Sequence, residues 1–114
     1  MQTIQNYFLL DDRRWEAVGQ ASRPGVTVFT DSRGNFREAA LGEVQSAGDL
    51  FMIVRLMVAA TEPVTVKVSS NYFGKGQPPR QGDRGMVVPE VNGDGKLHSR
   101  VWFPVPRDTG SSSW

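Results

Sequence analysis

The chain has 114 residues, enough for one domain that buries roughly 65% of the surface its unfolded form exposes, so a core needs neither metal nor disulfide. Thirteen Lys and Arg against twelve Asp and Glu leave a formal charge of +1, too weak a field to draw in nucleic acid or an anionic membrane, and any basic site must be local. With no Cys at all, disulfide frameworks, thiolate catalysis and Cys-ligated zinc or iron–sulfur centres are excluded.

The opening MQTIQNYFLLDDRRW has neither the basic start nor the long apolar segment of a secretory signal. Ile4, Phe8, Trp15 and Val18 can be forced onto a helix face, but the contiguous Tyr7 to Leu10 favours a short strand. Asp11 to Arg14 then forms a charged turn, and Trp15 to Val18 returns. Ser22-Arg23-Pro24-Gly25 breaks any element, so residues 1–24 read as an N-terminal arm. Val26 to Thr30, the turn Asp31 to Asn35 and Phe36 make the first clear hairpin. Glu38 to Ala47 is the one place for a short helix, because Ala39, Ala40, Leu41 and Val44 have helical spacing. Gly42 weakens that helix by about 1 kcal/mol relative to Ala, and a strand is the alternative.

Leu50 to Ala60 carries a single charge, Arg55, and reads as the central strand. Leu50, Met52, Val54, Leu56 and Val58 would lie on one side and Phe51, Ile53, Arg55, Met57 and Ala59 on the other. Both faces ask for cover, from a second layer or from another subunit. The run is far short of the ~20 residues that span a bilayer, so a soluble, cytosolically made protein without a membrane partner is expected.

Thr61-Glu62-Pro63 turns the chain into Val64 to Ser70, where Val64, Val66 and Val68 alternate with Thr65, Lys67 and Ser69. Residues 74–85, with four Gly and two Pro, form a long loop. Met86 to Val91, the turn Asn92 to Gly95 and Lys96 to Val105 make a last hairpin. On its second arm Leu97, Ser99, Val101, Phe103 and Val105 alternate with Lys96, His98, Arg100, Trp102 and Pro104. Residues 106–114 have the composition of a disordered tail. About seven short strands between turn signals predict an all-β domain, a small antiparallel sandwich or barrel.

No constellation for catalysis stands out. His98 and Ser99 are strand neighbours that point oppositely, one His and no Cys make zinc binding improbable, and neither phosphate-loop pattern occurs. Paired-carboxylate catalysis can be neither shown nor excluded from sequence. Glu90 to Gly95 begins like a calcium loop, but its twelfth position is Val101, so a β-turn is expected. No catalytic, cofactor-binding or metal-ligating residue is therefore nominated.

Basic residues interleaved with aromatics remain. Lys96, His98, Arg100 and Trp102 share a strand face, and Tyr72, Phe73, Lys75, Arg80 and Arg84 surround the long loop. Stacking platforms with cations hold single-stranded nucleic acid, yet Trp and Arg are also enriched at protein interfaces, and the near-zero net charge ranks a protein partner first. Arg55 needs an acid such as Glu43, Glu62 or Glu90, or a stem that packs while its head reaches water. The ends are expected to be clamped by neighbouring subunits, with Trp114 as an anchor.

These features predict a non-enzymatic structural protein that binds other copies of itself and a larger structural protein such as a capsid or tail subunit. An auxiliary decoration or cement protein of a viral capsid, or a phage tail component located in the virion, has this profile. The alternative is a binding module for single-stranded nucleic acid or carbohydrate that stacks its ligand on Trp102, Tyr72 and Phe73.

Overall fold

The computed structural model describes residues 6–20, 25–58, 61–74 and 76–105. Among these the chain is all-β apart from one 3-10 turn, Ser70–Tyr72. Its strands are β1 (Tyr7–Leu10), β2 (Arg13–Gln20), β3 (Val26–Thr30), β4 (Phe36–Ala47), β5 (Phe51–Leu56), β6 (Thr65–Ser69), β7 (Arg84–Val87), β8 (Glu90–Val91), β9 (Leu97–Ser99) and β10 (Trp102–Pro104). They form one sheet with the path β1-β2-β3-β4-β5-β6-β9-β8, while β7 joins β4 to β10.

Asp11 and Asp12 form the β1–β2 turn with φ of 56° and 59°, the left-handed pair that a two-residue hairpin of the right twist requires. Arg13 and Arg14, expected in that turn, are already paired in β2 with Leu10 and Leu9. Phe8, Leu10 and Trp15 point inward, and the Trp15 indole N–H donates to the Leu10 carbonyl at 3.1 Å.

Residues 38–47 are not a helix but most of a twelve-residue strand. Alternation explains why. Ala39 and Leu41 face a core that holds Phe8, Leu10, Trp15, Phe29, Met86, Val88, Val101 and Phe103. Ala40 and Val44 face a second core that holds Met52, Val54, Leu56, Val66, Val68, Val87 and Trp102. The small side chains that mimic a helix pattern are small because layers press on the strand from both sides.

Ala40 pairs with both Val26 and Val87, and Gly42 with both Leu56 and Gly85. A strand has two edges, so β3 and β5 lie end to end along one edge of β4 and β7 lies along the other. The element covered on both faces is thus β4 with β7 and β10, rather than the Leu50 to Ala60 stretch. In β5, Met52, Val54 and Leu56 are buried, but Phe51, Ile53 and Arg55 are only partly covered. Leu50 precedes the strand and is exposed.

The sheet has ten strands among the described residues rather than about seven, and it is mixed because β6 and β9 run parallel. The additional strands are β4 and those created by two breaks. Met86 to Val91 splits at Val88-Pro89 into β7 and β8, and Lys96 to Val105 splits at Arg100-Val101 into β9 and β10. Ser99 fastens the two breaks together. Its buried hydroxyl accepts from the Val88 and Val101 N–H groups at 2.9 and 3.0 Å and donates to the Val101 carbonyl at 2.7 Å. Ser99→Ala leaves these main-chain groups short of partners in a dry site, so a loss of about 1–3 kcal/mol is expected in a urea unfolding curve.

Two glycines permit the close packing around β4. A Cβ on Gly85 would stand 2.4 Å from the Trp102 ring and 2.7 Å from the Phe103 carbonyl oxygen, and one on Gly42 would stand 2.3 Å from Val54 Cγ1. Pro104 lies on β10, which pairs only with β7 among the described residues. Val105 N–H points back to β7, donating to the Arg84 carbonyl, so by alternation Pro104 faces the outer edge and offers no N–H there. That placement discourages a further strand from adding.

Candidate binding surfaces

The break at Arg100-Val101 dissolves the basic–aromatic face expected on Lys96 to Val105. Trp102 is buried, turned into the core under Gly85 and paired with Val87 on a different ladder from His98. Phe73 packs against the same core. The Trp102 ring presents no open stacking face, because the apolar interior takes it, and the Phe73 ring is partly covered. Lys75 and Trp114 lie outside the described residues.

Arg100 is the centre of a four-charge clasp. Its Nε and Nη2 grip Glu90 at 3.0 and 2.8 Å in a two-pronged pair, and its Nη1 reaches Asp11 at 2.7 Å. Arg37 bridges the same two acids, Nη1 to Glu90 and Nη2 to Asp11, both at 3.0 Å. The Arg37 guanidinium also lies over the Trp15 ring, 4.9 Å from its centroid. The clasp ties the β1–β2 turn to β4, β8 and the β9–β10 break. Hydrogen bonding from Arg100 lowers the pKa of both Asp11 and Glu90, and the two acids in turn raise that of Arg100. Both carboxylates are therefore fixed structural partners.

A third acid, Asp31, is held by main chain as well as side chains. The Asp31 carboxylate accepts from the Asn35 side chain and from the Asn35 and Arg33 main-chain N–H groups at 2.9 Å each, and it meets Arg13 at 3.1 Å. The Asn35 side-chain bond leads these causes in lowering its pKa from 3.8 to about 2. Since the folded value lies below the ordinary one, the charged form stabilises the fold above about pH 4, and that contribution fades as pH falls toward 2. Wild-type protein is expected to lose thermal stability through this window. Asp31→Asn should be less stable at neutral pH and change less between pH 4 and 2, as followed by circular dichroism.

Arg55 and Arg84 flank Glu43 across β5, β4 and β7, each 3.6 Å from one of its carboxylate oxygens. The Arg55 side chain is 44% exposed, so its stem packs while its head reaches water, with Glu43 the partner among the acids considered. One strand further, the Lys67 ammonium sits 4.3 Å from the Phe51 ring centroid. Lys67 pairs with His98 across the parallel ladder and with Ile53 on its other side. The outward side of β7-β4-β5-β6-β9 therefore carries Arg84, Glu43, Arg55, Ile53, Lys67 and Phe51, a cationic surface with apolar inserts. His98 is half-buried, and its Nδ1 has no hydrogen-bond partner among the described residues. The Ser99 hydroxyl lies on the opposite side, engaged by main chain. Arg80 is exposed in a turn closed by Asp83, whose carboxylate accepts the Arg80 N–H. Lys96 is exposed at the β8–β9 turn, where its N–H donates to Asp94.

Tyr72 is 38% exposed and shares a cleft of about 720 Å³ with Arg100 and the β1–β2 turn. Sequence reasoning did not single out one further surface. The outward side of β1-β2-β3-β4 aligns Tyr7, Glu16, Thr30 and Phe36 in one cross-strand row, with Leu9 and Arg14 in the next. Tyr7, Phe36 and Leu9 are 40%, 67% and 70% exposed. The only sequence signal was alternation within Tyr7 to Leu10, because Phe36 joins that row through pairings with no local signature.

Among the described residues no group of three or more His, Asp or Glu is placed to hold a metal ion, and no helix is long and apolar enough to cross a membrane. No protein-family model, curated protein or solved structure matches the chain.

Proposed function

We propose that the chain is a non-enzymatic structural or assembly protein, an auxiliary decoration or cement subunit of a viral capsid or a tail component that acts in the virion. Its work is mechanical: it adds contact area between copies of itself and a larger structural subunit. In this reading the sheet, with two strand groups sharing β4 and enclosing two cores, serves as a small sandwich-like or barrel-like block whose outward sides meet neighbours.

The observation that carries the proposal is the outward row on β1 to β4, where Tyr7, Leu9 and Phe36 stand largely in solvent between Arg14 and Glu16. Large apolar side chains within a polar setting mark protein contact surfaces. Arg14 also lies over Tyr7, 4.0 Å from its centroid, which holds that ring in place. The cationic outward side of β5 and β6 offers a second contact surface. Stacking of nucleic acid on Trp102 is disfavoured by the burial of that ring.

Sedimentation velocity on the pure protein, alone and mixed with candidate particles, tests the proposal. Self-association or particle binding is expected, and Leu9→Ser with Phe36→Ser should weaken it without lowering the melting temperature appreciably, because both side chains face water. A monomer that binds no particle overturns the reading.

A further inference from the structure

The cleft beside Tyr72 has a composition that the assembly proposal does not use. It is lined by Tyr72, by Leu9, which is 70% exposed, by the turn residues Asp11 to Arg14 and by Arg100. Its volume of about 720 Å³ falls within the range of small-molecule sites, about 300–1,000 Å³.

The charges in it are largely committed. Arg13 is paired with Asp31, Arg14 with Glu16, and Arg100 with Glu90 and Asp11. A phosphate or nucleic-acid backbone would meet arginines whose charge each already shares with a carboxylate. Asp12 differs. It is exposed and lines the cleft, no hydrogen bond or ion pair from the described residues holds its carboxylate, and its backbone occupies the left-handed region that a glycine would adopt without strain. The cleft therefore offers one free acceptor group, arginine N–H groups left over after pairing, and an aromatic ring beside an aliphatic wall. A guanidinium has five N–H donors, and Arg14 directs only its Nε to Glu16.

These are the requirements of a neutral sugar. A pyranose has an apolar C–H side that packs on an aromatic ring and a rim of adjacent hydroxyls that can donate to a carboxylate while accepting from a guanidinium. We propose that the cleft between the β1–β2 turn and the Ser70–Tyr72 turn binds a neutral pyranoside, with the ring of the sugar on Tyr72 and its hydroxyls between Asp12 and the nearby arginines. No covalent step is involved. This site shares Leu9 and Arg14 with the outward row on β1 to β4, but it depends on Tyr72 and Asp12, which that row does not include, so the two readings are tested by different substitutions.

The test is an amide-resolved NMR titration of the full chain with the methyl glycosides of glucose, galactose, mannose and N-acetylglucosamine, each to about 10 mM, the range in which single-sugar affinities around 1 mM are read. At least one is expected to give saturable shifts confined to the amides of residues 9–14 and 70–73. Tyr72→Ala should abolish them, and Asp12→Gly, which suits the turn and keeps the fold, should weaken binding at least tenfold. Inorganic phosphate should leave the same amides unmoved. The proposal is overturned if none of the four sugars produces saturable shifts there, if the shifts persist in Tyr72→Ala, or if phosphate alone saturates the site.

Discussion

Gly85→Ala is expected to lower the folding free energy by about 3 kcal/mol, at the upper end of what overpacking a core costs. The added methyl would stand 2.4 Å from the Trp102 ring and 2.7 Å from the Phe103 carbonyl oxygen. A ring at the end of a flexible side chain could yield, but the carbonyl belongs to β10, and moving it means breaking the pairings Trp102 to Val87 and Phe103 to Met86. Trp102 itself has little room to move within the core it shares with Val87 and Val54. Urea denaturation should show a lower midpoint at unchanged slope. A variant as stable as wild type would mean that β7 and β10 do not approach this closely.

Trp102→Ala should cost about 3–5 kcal/mol, the range for removing a large aromatic side chain from a packed interior. The comparison that gives this number meaning is Tyr72→Ala. Tyr72 is 38% exposed and belongs to neither core, so its removal should change stability by about 0.5 kcal/mol or less. If Trp102 were instead a solvent-facing platform, the two substitutions would have similar small effects, and its fluorescence would respond to an exposed quencher such as iodide. The buried ring should be shielded from iodide until the protein unfolds.

Much of the strand content was legible because its signals are local. Val26 to Thr30, Val64 to Ser70 and the Asn92 to Gly95 turn follow from β-branched alternation and turn chemistry and lie where those signals put them, to within a residue or two, while the turn expected over Asp11 to Arg14 is confined to Asp11 and Asp12. What was not legible depends on partners distant in sequence. Residues 38–47 look helical because Ala39, Ala40 and Gly42 are small, and their smallness is explained only by the two cores that press on the two faces of the strand. Alternation on Lys96 to Val105 was read as one continuous arm. The turn at Arg100 depends on Asp11 and Glu90 gripping its guanidinium, and no nearby residue announces either. The same break carried Trp102 from a supposed surface into the interior. Of the basic candidates, Arg55 and Arg84 do share a surface through Glu43, and Tyr72 and Arg100 share a cleft. Those groupings come from strand register, which composition does not encode.

A ribbon of twelve residues, with β7 and β10 alongside it, forms the party wall between two greasy rooms. Neither room can be emptied while the other stays furnished, since loss of the wall opens both at once. The domain should therefore come apart in one concerted step, and a chain cut anywhere along that ribbon should yield fragments that fold only when mixed.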